Sequence, residues 1–320
     1  IYIGDASDPV VAAQTAKNLE RFRNVEVKYF HWQGLDPSNT TAGLVERAKD
    51  ECQFCAISGD DDYFVPSSLT QCAKFLAENK DYRTVQGRAA AVELDRPGAY
   101  GEIKGLSQYW TENSLEQETS LGRVESFEKK YFVMQFSVHR IDGFIEDCRL
   151  FKEIKDYSLG EIFHCILFAI RGKSKFLDCL FLIRTLHAGR FDIPEDIRSP
   201  NNFIKWSMRP HWSSDIKKCL DFLGLALHES GGMSLDQAKQ IITKALVEFF
   251  SRSHVNMGYL SRIKSLLPME LKNALRPLHN LTLKANDMRL LRSKRSRFYE
   301  EFLHVSNSLS GWPQKIDDSD

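Results

Sequence analysis

The spacing of apolar and polar positions changes several times within the first sixty residues. Ile1–Gly4 is a short apolar run that ends in Asp-Ala-Ser-Asp-Pro, after which Val10–Arg23 places Val11, Ala12, Ala16, Leu19 and Phe22 on one helical side. Asn24–Phe30 alternates at period two and predicts a strand. Thr41–Asp50 predicts a second helix after the turn-rich Gly34–Asn39, and Gln53–Ser58 a third strand. Strands alternating with helices predict an α/β fold with a mostly parallel sheet and crossover helices. Such sheets bind ligands at the carboxyl ends of their strands, so the loops Gly4–Pro9 and Gly59–Phe64 lie on the expected binding edge.

Further along, Leu69–Asn79 predicts a helix and Thr84–Leu94 a strand. Asp95–Ser126 is polar and glycine-containing, with Tyr100, Tyr109 and Trp110, and reads as an excursion that holds an acceptor or covers a site. Tyr131–His139 predicts a strand, Leu159–Arg171 a helix ended by Gly172, and Phe181–His187 a last strand. Beyond the Pro-containing segment Phe191–Pro210 the pattern is helical from about Trp212. Ser234-Leu235-Asp236-Gln237 has the spacing of a capping box for a helix running to about Ser251. Gly258–Leu267, Glu270–Leu278 and Asn286–Val305 continue that character. The expected organisation is a sheet domain over 1–190, a linker over 191–210 and a helical region over 211–320.

Charge sharpens this division. The chain carries 43 Lys and Arg against 43 Asp and Glu, so no net field steers it toward nucleic acid, which is excluded as an expected partner. Residues 201–320, however, hold 18 basic against 12 acidic side chains, leaving 25 against 31 in residues 1–200. Seven scattered cysteines do not form a disulfide framework and suit a reducing, cytoplasmic compartment. Cys52-x-x-Cys55 has metal or redox spacing but no second pair, and reads as ordinary structure. No stretch approaches the roughly 18 consecutive apolar residues of a spanning helix, and no P-loop motif occurs. A chain opening on Ile and a strand shows no secretory signal, and the expectation is that upstream residues are missing.

The sharpest chemistry lies in Ala56-Ile57-Ser58-Gly59-Asp60-Asp61-Asp62-Tyr63-Phe64. Three adjacent carboxylates after an apolar strand repel one another unless a cation or several hydrogen bonds offset them. A hard divalent ion, Mn2+ or Mg2+, does this with oxygen ligands and keeps positions for phosphates. The plain alternative is a solvated acidic turn.

With Gly4-Asp5-Ala6-Ser7 after an earlier strand, this Asp60-Asp61-Asp62 run resembles the nucleotide-sugar-binding half of GT-A fold glycosyltransferases. The likeness is strongest to bacterial polysaccharide-type enzymes related to the inverting family-2 group. It extends less specifically to about residue 190. It implies that Asp5, with Ser7 in the same loop, contacts the nucleoside, and that Asp60 and Asp62 form the Asp-x-Asp pair. Asp62 would coordinate the metal and Asp60 the ribose or metal, while Asp61 could substitute for either. Glu161, in Ser158-Leu159-Gly160-Glu161-Ile162, is the candidate general base by position; Glu118, Glu125, Glu153 and Asp156 are lesser candidates. The plain reading of Glu161 is a residue near a helix N-terminus that favours the macrodipole. In Arg184-Thr185-Leu186-His187, His187 is placed as a further metal ligand, and Arg184, or Arg190 beyond it, to neutralise diphosphate. The family begins with a further strand, loop and helix, which leads to the expectation of a fragment numbered from the second strand.

The resemblance thus implies a metal-dependent, inverting transfer from a nucleotide-diphosphate sugar, a UDP-sugar favoured, to a hydroxyl on a glycan or lipid-linked acceptor. Surface polysaccharide or glycan synthesis is the implied setting. The alternatives are a nucleotidyltransferase acting on a sugar phosphate and a non-catalytic glycan-binding relative. Lys284–Arg297 carries six basic residues against Asp287, with Leu290 and Leu291 interleaved. It reads either as a solvated bundle face or as a basic amphipathic helix in peripheral contact with the inner face of an anionic membrane.

Overall fold

A computed structural model describes residues 1–96, 98, 100–109, 112–186, 211–266 and 291–311, with 157–158 and 251–266 described as backbone alone. His187, Arg190, the predicted linker and the predicted helix Glu270–Leu278 lie outside the described residues.

The first layer is small. β1 (Tyr2–Asp5) and β2 (Lys28–His31) form a parallel pair joined by α1 (Pro9–Leu19). Asp8 starts α1 by accepting from Val10 N–H (2.9 Å) and Val11 N–H (3.2 Å), and Asp36 does the same for α2 (Pro37–Ala48) through Asn39 N–H (3.0 Å). Both helices open on the Asp-Pro pattern, in which an extended cap precedes a proline whose missing N–H is no loss at the first helical position.

The second layer is a six-stranded sheet in the order β3-β7-β5-β8-β4, with β6 also on β5. Its members are β3 (Phe54–Cys55), β4 (Asp62–Phe64), β5 (Tyr82–Leu94), β6 (Ile103–Gln108), β7 (Val138–Arg140) and β8 (Lys173–Leu186). The long strands β5 and β8 run parallel, whereas every other pair in this sheet is antiparallel. The sheet is therefore mixed, which corrects the expectation of a mostly parallel one. Hydrophobic period reports that a segment is a strand and which faces it buries, not its direction. β5 and β8 approach closely at Gly87, where an added Cβ would sit 2.6 Å from the Cys179 carbonyl oxygen and 2.8 Å from Phe181 Cβ.

Helices α3 (Pro66–Glu78), α4 (Ser120–Lys129), α5 (Ile141–Phe151) and α6 (Tyr157–Arg171) flank the sheet. The predicted strand over Tyr131–His139 is only Val138–Arg140, and α5 and β6 are elements the pattern did not separate. Arg123 of α4 clasps the end of α6, its guanidinium donating to the carbonyls of Ala169 (2.7 Å) and Ile170 (2.8 Å). Those carbonyls have no intrahelical partner, so a buried cation there satisfies them and the helix dipole together.

The helical region contributes α7 (Trp212–Gly231), α8 (Leu235–Leu266) and α9 (Tyr299–Gly311). The predicted capping box is present: Ser234 Oγ accepts from Gln237 N–H (3.3 Å) while Gln237 Oε1 accepts from Ser234 N–H (3.1 Å). Leu223, Leu227, Ala238, Ile242 and Phe250 of α7 and α8 share one core with Phe144, Phe163 and Leu167 of α5 and α6. The predicted helix over Asn286–Val305 lies outside the described residues as far as 290; residues 291–298 turn, because Ser293 and Ser296 hydroxyls and carbonyls capture the N–H groups of Arg295, Ser296, Phe298 and Tyr299. Arg297 there pairs with Asp178, and Arg292 donates to the Ile103 carbonyl.

Candidate functional site

Gly59–Asp62 runs directly into β4, whose register places Asp62 opposite Arg184, Tyr63 opposite Ile183 and Phe64 opposite Leu182. The Asp61 carbonyl accepts from the Thr185 hydroxyl at 2.7 Å, which fixes the start of β4 against β8. Asp62 thereby enters the sheet with its side chain 0% exposed, and its Oδ1 lies 3.4 Å from Arg184 Nε. Asp61 is half-buried and Asp60 exposed, the latter beside Tyr100. An added Cβ at Gly59 would meet Asp61 Oδ1 at 3.0 Å and Asp62 Oδ2 at 3.3 Å, so these two carboxylates converge over the space that glycine leaves. Asp61 and Asp62 are hard-oxygen donors of the type that Mn2+ and Mg2+ take, and Asp62 also faces Arg184. Among the described residues no group of three or more His, Cys, Asp or Glu side chains is arranged to hold a metal ion.

Arg184 is held on three sides. Its guanidinium carbon lies 4.8 Å from the Tyr109 ring centroid and 4.7 Å from that of Phe136, and its Nη1 donates to the Tyr109 hydroxyl. A guanidinium between two aromatic faces keeps its charge, and its plane is fixed by packing. The charge of Arg184 also reaches Glu161 near the start of α6. Tyr131 donates its hydroxyl to Glu161 Oε1 at 2.8 Å. Burial pushes the Glu161 carboxyl above the usual carboxylate range, against the opposing effects of the Tyr131 hydrogen bond and the Arg184 charge. Asp62, Arg184, Tyr109, Glu161 and Tyr131 therefore form one electrostatic cluster drawn from β4, β8, α6 and the two segments that precede α4 and β7.

Of the predicted site residues, Asp61 converges with Asp62, Asp62 pairs with Arg184, and the charge of Arg184 reaches Glu161. Tyr131 and Tyr109, which complete the cluster, were not singled out by motif; Tyr109 lay among the aromatics of the excursion, and Tyr131 sat in an apolar run that carries no polar signal. Asp5 makes its contacts within the first sheet: Oδ1 accepts from Ser7 N–H (2.8 Å) and the Ser7 hydroxyl (2.5 Å), and Oδ2 from the Tyr29 hydroxyl (2.6 Å). Burial acts to raise its pKa, yet these hydrogen bonds hold it below the ordinary value. The Ser7 carbonyl meets His31 Nε2 at 2.8 Å. Asp5 and Ser7 thus form a closed turn at the carboxyl end of β1.

The lesser candidates have structural partners or lie in solvent. Asp156 caps α6 through Leu159 N–H (2.9 Å), Glu118 pairs with Lys173 (2.8 Å), Glu153 lies 3.8 Å from Lys218, and Glu125 is exposed. Cys52 and Cys55 are free thiols packed against the helical core, and burial raises both. No helix among the described residues is long and apolar enough to cross a membrane.

No protein-family model matches the chain, and no curated protein matches it. Among solved structures, the crystal structure of S. aureus TarS 1–349 is similar over 98% of this chain and 82% of that one, at 16% identity and a TM-score of 0.46.

Proposed function

We propose that the chain is a metal-dependent glycosyltransferase of the GT-A kind, moving a sugar from a nucleotide-diphosphate sugar to a hydroxyl acceptor with inversion, in surface polysaccharide or glycan synthesis. What supports this reading is the convergence of the Asp61 and Asp62 carboxylates beside Gly59, with Asp62 paired to Arg184, whose charge also reaches the half-buried Glu161. Asp61 and Asp62 would hold Mn2+ or Mg2+, with Asp60 and His187 as further ligands; the bound ion supplies charge neutralisation for the diphosphate. Arg184, fixed between Tyr109 and Phe136, adds a permanent positive charge beside that position. Asp5 and Ser7, at the end of β1, are the proposed nucleoside contacts, and to make them they would exchange their present hydrogen bonds with each other and with Tyr29.

Glu161 is the proposed base. A carboxylate with a raised pKa accepts protons more readily than an ordinary one, which suits removal of a hydroxyl proton near neutral pH. The acceptor oxygen forms a bond to the anomeric carbon, its proton passes to Glu161, and the bond from that carbon to the diphosphate oxygen breaks with its electron pair leaving on the nucleoside diphosphate. The proposed acceptor is a hydroxyl on a glycan or lipid-linked glycan.

Incubation with a panel of nucleotide sugars and Mn2+ tests this. The expected result is divalent-dependent release of nucleoside diphosphate from one donor class, abolished in the Asp61→Ala/Asp62→Ala double variant. Release that survives the double variant, or none from any donor, overturns the reading.

A further inference from the structure

The C-terminal helices are tied to Glu161 at two separate places. At the start of α6, the buried Asp215 of α7 accepts from the backbone N–H of Lys155 (3.1 Å) and Asp156 (2.9 Å), and Asp156 caps the helix that carries Glu161. The second tie runs through Tyr131. Its hydroxyl donates to Glu161, and its ring packs edge-on against Phe127 of α4 (centroids 5.3 Å apart) and Phe249 of α8 (5.1 Å). Phe249 in turn meets Phe250 at 5.5 Å, and Phe250 meets Trp212 at the start of α7 at 5.6 Å. An aromatic chain therefore leads from both helices to the hydroxyl that holds the carboxyl.

We propose that Tyr131 is a positioning residue for Glu161 and that α7 and α8, through Phe249 and Asp215, are part of the catalytic unit and not an appendage to it. The inference rests on Glu161 being the base. A glutamate carboxyl turns about three side-chain torsions, and a hydroxyl donor on one oxygen restrains its plane while the other oxygen takes the acceptor's proton. Tyr131 can do this only if its own ring is fixed, and the edge contacts from Phe127 and Phe249 fix it from opposite elements. The titratable and charged groups facing Glu161 are Tyr131 itself, Arg184 from β8 and Cys165 of the same helix.

The experiment follows the Glu161 carboxyl carbon by NMR in the full chain, labelled at glutamate Cδ and assigned with Glu161→Gln. Tyr131→Phe keeps the ring and removes the donor, and Phe249→Leu keeps apolar bulk and loosens the edge contact; near-UV circular dichroism confirms that both remain folded. The Glu161 titration midpoint is expected to rise in Tyr131→Phe, because that hydrogen bond favours the ionised form, and to rise less in Phe249→Leu. With a donor that turns over, Tyr131→Phe is expected to lower kcat about tenfold with an unchanged donor KM. A midpoint unmoved in both variants overturns the positioning role. Midpoints that move while Glu161→Gln turns over at the wild-type rate leave the tie standing and overturn the base assignment.

Discussion

Asp62 and Arg184 are register partners across the β4–β8 pair, with Oδ1 and Nε 3.4 Å apart and the Asp62 side chain removed from solvent. Removing one partner of a buried pair leaves the other charge without compensation, which costs roughly 3–5 kcal/mol. Arg184→Ala is expected to lose stability in that range in urea unfolding. The Asp62→Ala/Arg184→Ala double variant should lose clearly less than the sum of the two single variants, because the pair is then removed together. Additive losses would show that the two charges do not interact.

Gly59→Ala addresses the carboxylate cradle without touching a carboxylate. The new methyl would lie 3.0 Å from Asp61 Oδ1 and 3.3 Å from Asp62 Oδ2, closer than ordinary contact. Gly59 is exposed, so stability in urea should change by less than about 1 kcal/mol. Mn2+ affinity measured by electron paramagnetic resonance should fall by about 10- to 100-fold. Unchanged Mn2+ binding would place the ion elsewhere.

Burial raises the Glu161 pKa, so the folded chain holds that proton more tightly than the unfolded one. As pH rises above the ordinary carboxylate range the unfolded state ionises first, and stability drains away until the raised value is passed. Glu161→Gln has no such loss. Its stability relative to wild type should therefore be greater at pH 8 than at pH 4 in denaturant titrations, and a pH-independent difference would contradict the raised value.

Two buried histidines act in the opposite direction. His139 stacks on Phe144 at 4.3 Å, and His164 stacks on Phe151 at 4.5 Å with Phe144 at 5.6 Å on its flank. Burial pushes His139 down to about 3 from 6.5 and His164 well below its ordinary value. Between pH 6.5 and about 3 the unfolded chain takes up protons that the folded chain refuses, so stability falls as pH falls. His164→Phe should lose less stability than wild type between pH 7.5 and pH 5, whatever its packing cost at either pH; an equal loss would contradict the account.

Much of this architecture was legible from residue order. The capping box at Ser234 and the apolar runs of α6 and the second half of β8 announce themselves locally, whereas the Asp36-Pro37 start of α2 lay in a segment read as turn-rich. Strand direction does not, which is why alternating elements suggested a parallel sheet although β4 and β7 pair antiparallel. In the site, Asp62 was visible because adjacent carboxylates are locally anomalous, and Arg184 and Glu161 because the family resemblance pointed at their positions. Tyr131 and Phe249 were invisible, since aromatics in apolar runs look like core until a partner separated by tens of residues supplies the polar contact. The same limit applies to the helical region, whose charge marked it as different while its packing against α6 depends on contacts no local pattern records.

The central claim is that Glu161 removes the acceptor proton in a site built on Asp61, Asp62 and Arg184. The most direct measurement is turnover and nucleoside diphosphate binding of Glu161→Gln side by side with wild type, in the presence of Mn2+ and a donor that wild type uses. The account predicts that kcat falls by about 10²- to 10⁴-fold with binding of the nucleoside diphosphate retained. Wild-type turnover by Glu161→Gln would contradict it.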